Sequence, residues 1–315
     1  MEVIPMRKYI YTFTGLLAFA ALSAGTAHGI TISDKAGTAT GEFLRIGAGA
    51  RPAAMGEAYT AVADDVNSLY WNPAGLAKVK SRELQVSHAM LYMDINHEYA
   101  AYVHPLKEGW GAAGISFTYL MTTFDKRAGD TDVPDSSGNV GDMAIGLSYG
   151  RELLWGVRGG ATVKFINSTL DSYSASTIAL DAGFQYTLPQ WNKLILGLSF
   201  SNLGGSLTYI EKSVAVANTG SFGLAVKDAF LKNLTMAADA RTVLNTGYLS
   251  VNTGAEYAYV FGNGITVAPR IGFESYAGLF TAGFGIGWKA YQLDYAFMPN
   301  DDLGSSNRLT FNIKF

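Results

Sequence analysis

The feature that most constrains this chain is a two-residue alternation of side-chain character that runs from about Leu84 to the C-terminus. Between residues 178 and 186 the even positions are apolar, with Leu180 and Phe184 among them, whereas the odd positions include Asp181 and Gln185. Successive side chains of a β-strand point to opposite faces, so this period indicates strands with one apolar face. Turn-forming runs such as Gly262-Asn263-Gly264 separate the segments. The spacing predicts about fourteen strands, at roughly seventeen residues per strand and connection.

Alternation of this kind is shared by soluble β-sandwiches and by membrane barrels. The composition suits both, since 36 glycines, 18 tyrosines and 17 phenylalanines favour turns and pleated surfaces. Aromatic residues crowd toward the predicted strand ends, where an interfacial girdle of a membrane barrel would lie. The residues concerned are Tyr149, Tyr186, Tyr209, Tyr257, Tyr259 and Trp288.

The N-terminus has the pattern of a secretory signal peptide. Arg7 and Lys8 precede an apolar run from Tyr9 to Leu22, and small residues follow from Ser23 to Ala27. The run is shorter than the roughly twenty residues of a transmembrane helix, although a retained anchor is the alternative. No later stretch of about eighteen apolar residues occurs, so any span of a membrane is expected to use strands.

The last strand places Leu309, Phe311, Ile313 and Phe315 on one face. This aromatic C-terminal strand resembles the signal that the barrel-assembly machinery reads on outer-membrane proteins, which implies that Phe311, Ile313 and Phe315 carry it. An ordinary edge strand is the alternative. An open edge of this apolarity would invite aggregation, whereas barrel closure removes the edge.

Residues 42–80 lack the two-residue period and are rich in glycine and alanine. Asp64 and Asp65 are suited to cap a helix from Val66 to Trp71, which the Asn72-Pro73 step would end. The chain therefore divides into a cleaved signal peptide (1–29), an N-terminal segment (30–80) and a transmembrane β-barrel (81–315).

The runs from Gly49 to Asp65 and from Tyr70 to Leu76, with the step Asn72-Pro73-Ala74, resemble the PorV/PorQ family of outer-membrane proteins. That family is similar to the FadL-type long-chain fatty-acid transporters. The resemblance implies that residues 30–80 fold into the barrel lumen as a plug, here called the hatch. In the fatty-acid transporters the hatch gates hydrophobic solutes, which leave sideways through the wall, whereas PorV hands over cargo of type IX secretion. The motif does not choose between these roles.

Small residues in the hatch would let its backbone pack in a crowded lumen, and its charges would pair with charges on the inward faces of the strands. Each inward charge either lines a water-facing lumen or contacts a substrate. The hatch residues singled out are Gly49, Arg51, Met55, Gly56, Asp64, Asp65, Trp71, Asn72, Pro73 and Ala74, with Glu57 as a further charge. The inward charges are Arg158, Lys164, Asp181, Asp239, Arg241, Glu256, Arg270, Glu274 and Asp294.

Other chemistry has little support. A net charge of −3 gives no basis for nucleic-acid binding, and the absence of cysteine removes disulfides and thiol chemistry. Gly146-Leu147-Ser148-Tyr149-Gly150 matches a nucleophile elbow, but its flanks alternate like a strand. His88, His97 and His104 lack zinc-ligand spacing, and the Asp130–Asp135 loop lacks the spacing of a calcium loop.

The sequence therefore predicts an all-β fold, a transmembrane antiparallel β-barrel of about fourteen strands with a lumenal hatch. The expected function is binding or transport of hydrophobic small molecules at the bacterial outer membrane, with a PorV-like role in secretion or surface attachment as the alternative. No catalysis, cofactor or metal is expected. The expected partners are outer-membrane lipid, a hydrophobic small-molecule ligand, the barrel-assembly machinery and, for the alternative, secreted cargo proteins.

Overall fold

A computed structural model describes residues 39–92, 95–191, 193–275, 279–300 and 304–315. The predicted signal peptide and the first residues of the hatch lie outside these ranges. Within them, none of the helices has both the length and the apolar character that crossing a membrane requires.

Fourteen long strands make up the wall in the described part of the chain, and they are numbered here in chain order. They are β1 (Glu83–Met90), β2 (Asn96–Pro105), β3 (Ala112–Lys126), β4 (Ser136–Glu152), β5 (Val157–Leu170), β6 (Tyr173–Thr187), β7 (Leu194–Leu203), β8 (Thr219–Lys227), β9 (Leu234–Val243), β10 (Tyr248–Tyr257), β11 (Ile265–Glu274), β12 (Leu279–Trp288), β13 (Tyr291–Met298) and β14 (Ser306–Lys314).

Each strand pairs antiparallel with the next, and β1 pairs with β14, so the sheet closes into a barrel. The closing ladder begins at the pair Glu83 and Lys314. Two backbone hydrogen bonds extend it, because Arg82 and Phe315 each donate an N–H to the other's carbonyl, at 3.0 and 2.9 Å. Closure leaves neither terminal strand with an open edge, and the predicted fold class is confirmed.

The two faces of the wall have the polarity of a membrane barrel. On β6, Ile178 and Leu180 are 62% and 52% exposed on the outside, whereas Asp181 is 2% exposed on the inside. On β14, Phe311 is exposed while Arg308 and Thr310 are buried in the lumen. The apolar parity therefore faces outward, as lipid contact requires, and the polar parity fills the interior.

The two ends of the barrel differ. The end where β1 begins and β14 ends is here called the proximal end, and the two longest connections, residues 127–135 and 204–218, both lie at the other end. Four strands extend the wall at this opposite, distal end. They are β3 to β6, which have 14 to 17 residues, whereas the other strands have 8 to 10. The ladder between β3 and β4 extends as far as the pair Lys126 and Ser136, which leaves residues 127–135 as the loop at its top. The outward side chains there are polar, so this tall part of the wall stands clear of the apolar belt.

The described part of the hatch lies inside the barrel. It contains two one-turn α-helices, α1 (Ala50–Ala54) and α2 (Ser68–Trp71), and two 3₁₀-helices (Glu42–Arg45 and Pro73–Lys78). Residues from Ala48 to Leu76 are almost all buried, with Tyr59 and Leu69 fully so. The helix expected from Val66 begins at Ser68. The Asp65 carboxylate accepts a hydrogen bond from the backbone N–H of Asn67 instead of capping a longer helix. Asn72 caps the following 3₁₀-helix through Ala74.

The connection between β7 and β8 also turns inward at the distal end. Its short strands Ser206–Thr208 and Ser213–Ala215 form a hairpin, whose Leu207 is fully buried against Phe43 and Ile166. Tyr209, expected in an outer aromatic girdle, instead packs beside this cluster and donates a hydrogen bond to Ser168. The pattern placed it wrongly because the short hairpin has the same period as a wall strand.

Inward glycines of the wall form the contact surface for the hatch backbone. A Cβ added at Gly272 on β11 would collide with the backbone of Met55 and Gly56. A Cβ at Gly160 on β5 would collide with Pro73, and one at Gly197 on β7 with Thr60. Side chains at these positions would hold the two backbones apart, so glycine permits the close approach.

We predict that Gly272→Ala displaces the hatch, because backbone on both sides leaves the new methyl group no room. The expected result is a thermal unfolding temperature in detergent several degrees below that of the unaltered protein. Overpacking a filled site costs about 1–3 kcal/mol.

Gly287→Ala on β12 is the matched control. It also faces the lumen, but its Cβ would meet the nearest atom, Thr266 Cβ, at an ordinary 3.6 Å. Equal melting temperatures for the two variants would contradict the docking of the hatch on Gly272.

Candidate functional site

The hatch divides the lumen into two pockets, one on each side of it. The proximal pocket has a volume of about 430 Å³ and the distal pocket about 70 Å³. Arg51, Asp64 and Asp65 of the hatch face the proximal pocket, whereas Glu57 and Trp71 face the distal one. The candidate site is therefore the hatch together with the wall residues that hold it.

A buried guanidinium joins the hatch to the proximal half of the wall. Arg51 contacts Glu256 of β10 through two nitrogens, Nε at 2.9 Å and Nη2 at 2.7 Å. Its Nη1 contacts Asp64 at 3.0 Å and Asp65 at 2.7 Å within the hatch. A planar guanidinium suits this arrangement because its donors form a fixed fork. One side chain thus contacts three carboxylates that come from both sides of the interface.

The cluster around Arg51 is compensated further by lysine and tyrosine. Lys227 at the end of β8 pairs with Asp64, and the Tyr59 hydroxyl donates to Asp65 at 3.0 Å. Burial alone would raise the pKa of the Asp64 carboxyl, but Arg51 and Lys227 hold that pKa well below its usual range. The Asp64 carboxylate therefore stays ionised through the neutral and moderately acidic range.

A chain of charges continues from this cluster around the wall. Arg270 on β11 contacts Glu256 at 2.6 Å and Asp294 of β13 at 2.7 Å. Asp294 also accepts from Gln292 at 2.8 Å and from Asn312 at 2.9 Å. Four wall strands are thereby linked to the hatch through one network of opposite charges.

A second ion pair crosses the interface on the distal side. Arg241 of β9 contacts Glu57 of the hatch at 2.8 Å, and its guanidinium lies 4.7 Å from the centre of the Trp71 ring. Trp71 in turn donates its indole N–H to the Ala48 carbonyl at 2.9 Å. Arg241 thus holds both a charge and an aromatic face of the hatch.

Several backbone amides of the hatch donate to side chains of the wall. The Asp239 carboxylate accepts from the amides of Tyr59 and Thr60 at 2.9 and 2.8 Å. Thr310 accepts from Ala50 at 2.8 Å, and Thr281 accepts from Gly56 at 3.0 Å. Buried amides without such partners would be costly, so these wall positions fix the hatch in one place.

Two amide side chains hold the rest of the hatch. Gln185 of β6 donates to the carbonyl of Ala63 at 3.0 Å and lies within reach of those of Thr60 and Ala61. Asn72 donates to the Thr60 carbonyl at 2.8 Å and reaches the Phe184 carbonyl of the wall at 3.2 Å. Asn72 therefore joins two hatch segments to the wall as well as ending a helix.

The distal pocket combines apolar and charged surfaces. Leu44, Tyr70, Trp71, Val243 and Tyr248 form its apolar part. Its charged part includes Arg45, Glu57, Arg241, Glu274 and Lys164, the last of which pairs with Asp181 at 2.7 Å. A molecule with an apolar body and a polar end matches such a lining.

The proximal pocket combines charged side chains with small and aromatic residues. Its lining includes Arg51, Asp64, Glu256, Arg270 and Lys314, with Trp288 and Tyr291 at the rim. Its charges belong largely to the cluster that holds the hatch, namely Arg51, Asp64, Asp65, Glu256 and Arg270.

The structure brings together many of the residues singled out in the sequence, but not all. Arg158 lies on the proximal wall, where it donates to Thr187 and has no described contact with the hatch. Lys164 and Asp181 pair with each other on the wall rather than with hatch charges. Met55 packs against Gly254, while Pro73 and Ala74 lie against Gly160.

Several contacts were missed in the sequence. They are made by Lys227, Gln185, Thr281, Thr310, Arg308 and Glu83, which accepts from the Val66 amide. All lie on the polar parity of their strands, and that parity was the available signal. The Gly146–Gly150 run lies within β4, so Ser148 lacks the strand-to-helix turn of a nucleophile elbow. Among the described residues, no group of histidine and carboxylate side chains is arranged to hold a metal ion.

We predict that Arg51→Met opens the hatch, because it leaves three buried carboxylates without their shared cation. Removing one partner of a buried pair costs about 3–5 kcal/mol. In planar lipid bilayers the variant should show larger and noisier single-channel currents than the unaltered protein.

Arg127→Met is the control, since Arg127 contacts Asp125 at 3.0 Å in an exposed pair worth about 0–1 kcal/mol. Currents from Arg51→Met that match those of the control would show that ion pairing does not hold the hatch.

Solved structures share the barrel fold at low sequence identity. The toluene transporter TbuX of Ralstonia pickettii is 13% identical, with a TM-score of 0.59, over 85% of this chain and 98% of its own. The monoaromatic hydrocarbon channel CymD is 12% identical, with a TM-score of 0.61, over 86% and 98%. A Pseudomonas aeruginosa FadL homologue is 11% identical, with a TM-score of 0.56, over 84% and 97%. Identity this low supports a common fold and no more.

Sequence comparison gives the family. No curated protein matches the chain in sequence. The family model described as "Uncharacterised protein family (UPF0164)" matches residues 18–268, which is most of the chain. The chain therefore belongs to the UPF0164 family.

Proposed function

We propose that this protein is an outer-membrane barrel that admits small hydrophobic or amphipathic molecules through its distal pocket, with the hatch as the gate. The observation that carries the proposal is a hatch held in the lumen by ion pairs and hydrogen bonds between two separate pockets. Such contacts close the barrel firmly yet are reversible. The fold shared with a toluene transporter and a hydrocarbon channel supports the class of cargo.

The distal pocket supports a cargo with an apolar body. Tyr70 and Trp71 present aromatic faces at a centroid distance of 5.0 Å from each other, and Leu44 connects the pocket to the apolar cluster under the distal hairpin. Arg241 and Glu274 line the same pocket and provide charged groups for the polar end of a ligand. Because its volume of about 70 Å³ is below the roughly 300–1,000 Å³ of ligand pockets, cargo enters this space only when the hatch moves.

The wall has an irregular seam beside this pocket. Leu180 of β6 pairs with Leu203 of β7, but Ala182 pairs with Phe200, so the register shifts between them. Asn202 at this bulge has a left-handed backbone with φ of 62°. Its backbone N–H donates to the Asp181 carboxylate at 2.8 Å. Ser201 and Asn202 line the pocket. We propose that apolar cargo leaves the pocket sideways through this seam, because the hatch, held by the ion pairs of Arg51, lies across the direct path to the proximal pocket.

A disulfide across the seam tests the route in a chain that has no native cysteine. We expect oxidised Leu180→Cys/Leu203→Cys protein, reconstituted in liposomes, to lose most of its uptake of a radiolabelled monoaromatic hydrocarbon. Reduction with dithiothreitol should restore the uptake, because the strands can then separate.

The matched control is Phe184→Cys/Leu198→Cys, which joins partners of the same two strands in regular register. Its oxidation should leave uptake unchanged. Equal uptake by the oxidised and reduced seam variant would exclude the lateral route. Absence of hydrocarbon uptake by the unaltered protein would exclude the proposed cargo class.

A second candidate function is a PorV-like role in protein secretion or surface attachment. The tall wall of β3 to β6 favours it, because its polar outer surface and the loop at residues 127–135 project beyond the apolar belt. Purification in mild detergent with mass spectrometry distinguishes the two roles. A stoichiometric exported protein would support the second role, and bound apolar molecules without protein would support the first.

A further inference from the structure

Basic side chains concentrate at the proximal end of the barrel. In the described part of the chain, eight exposed lysines and arginines lie in the proximal turns and adjoining strand ends, against three acidic residues, Glu108, Glu152 and Asp228. The basic residues are Lys80, Arg82, Lys107, Arg151, Lys193, Lys232, Lys289 and Lys314. This set, together with the proximal tryptophans described below, is called the proximal rim.

The distal end has the opposite sign. Its described loops and strand ends carry six acidic residues against three basic ones, Lys126, Arg127 and Lys212. The acidic residues are Asp125, Asp130, Asp132, Asp135, Asp171 and Glu211. Since the whole chain has a net charge of only −3, the basic rim reflects where charges are placed and not an excess of them.

The proximal rim also carries four of the five tryptophans of the chain. Trp110, Trp155, Trp191 and Trp288 are 62%, 88%, 51% and 50% exposed, and all lie in or beside proximal turns. Trp155 is held outward by a left-handed backbone with φ of 59°. A large apolar ring is costly to leave in water, but the amphipathic indole is favoured at the headgroup level of a membrane.

Basic and aromatic side chains lie next to each other at the proximal rim. Lys289 lies 4.4 Å from the centre of the Trp288 ring, and Lys193 is two residues from Trp191. The proximal rim is continuous with the apolar belt of the wall, where Tyr149 and Tyr291 are exposed. A lysine beside an interfacial ring can extend its ammonium toward lipid phosphates while its stem stays on apolar surface.

We propose that the proximal rim binds the headgroups of an anionic phospholipid leaflet. Short turns mark the periplasmic end of outer-membrane barrels, so the rim would face the inner leaflet of that membrane. Each lysine or arginine near an anionic surface contributes about 1 kcal/mol. The basic rim and the acidic distal end together favour one orientation and depth in the membrane. This inference concerns the setting of the barrel and is independent of its cargo.

Lipid nanodiscs test the proposal directly. The unaltered protein is placed in discs of phosphatidylcholine with a minor fraction of phosphatidylglycerol, and the lipids it retains are counted by native mass spectrometry. We expect retained phosphatidylglycerol to be enriched over the bulk lipid. In the rim variant Lys107→Gln/Lys193→Gln/Lys232→Gln the enrichment should fall by about fivefold for each lysine removed.

The control variant Lys126→Gln/Arg127→Gln/Lys212→Gln removes the same number of charges at the distal end and should keep the enrichment. Thermal unfolding in the same discs checks that all three proteins are folded. Equal enrichment in the rim variant and the unaltered protein would overturn the proposal, and so would an equal loss in the control. An inorganic phosphate concentration that abolishes the enrichment at constant ionic strength would show a site for free anions instead.

Quenching of tryptophan fluorescence gives a second readout. Phosphatidylcholine brominated near the headgroup should quench most of the emission, because four of the five rings lie at the rim. Trp155→Phe should remove part of the quenchable signal, whereas Trp71→Phe should remove only unquenched signal from the lumen. Equal effects of the two substitutions would place the rim away from the lipid.

Discussion

A barrel with an apolar outer surface must place its polar side chains in the lumen, and every other feature of this structure follows from how they are satisfied there. Five charged side chains of the wall point inward. Arg241 is partly buried, and the other four are buried, namely Asp239, Glu256, Arg270 and Asp294. Without partners these groups would need a wide water-filled channel. The hatch provides partners for several of them, as Arg51 does for Glu256 and Glu57 does for Arg241, whereas Arg270 and Asp294 pair within the wall.

The hatch has backbone amides that need partners outside it, because much of it is not regular secondary structure. Its helices are one turn long, and amides such as those of Tyr59 and Thr60 have no place in a helix or sheet ladder. Wall carboxylates and hydroxyls accept them, and wall glycines let the two backbones meet. Neither part is satisfied alone, so the closed barrel depends on both. Because the contacts are electrostatic and directional, losing Arg51 would release several of them together.

Much of the fold could be predicted from the sequence because β-strands give a strong local signal. The parity of residues 178–186 and of the last strand assigned inside and outside, and the small-residue run near Arg51 marked the hatch. The pairing within the lumen could not be predicted in the same way. Glu256 was one of nine inward charges, and which one meets Arg51 depends on the angle at which the hatch crosses the barrel, a property of the whole structure.

Other parts of the site lacked a distinctive signal altogether. Gln185 donates to hatch carbonyls, and Thr281 and Thr310 accept from hatch amides, yet in sequence all three are ordinary polar residues on alternating strands. The distal hairpin was hidden for a different reason, since its short strands have the same period as a wall strand, and Tyr209 was therefore assigned to the outside. Sequence patterns indicate which face a residue occupies, but not which residue lies across the lumen.

The most direct measurement of the central claim is hydrogen–deuterium exchange of the unaltered protein in detergent, read by mass spectrometry. If the hatch is locked in the lumen, peptides covering residues 48–76 will exchange as slowly as those of β9 and β12. If the same peptides exchange as fast as the exposed loop at residues 127–135, the hatch does not close the barrel, and the account is contradicted.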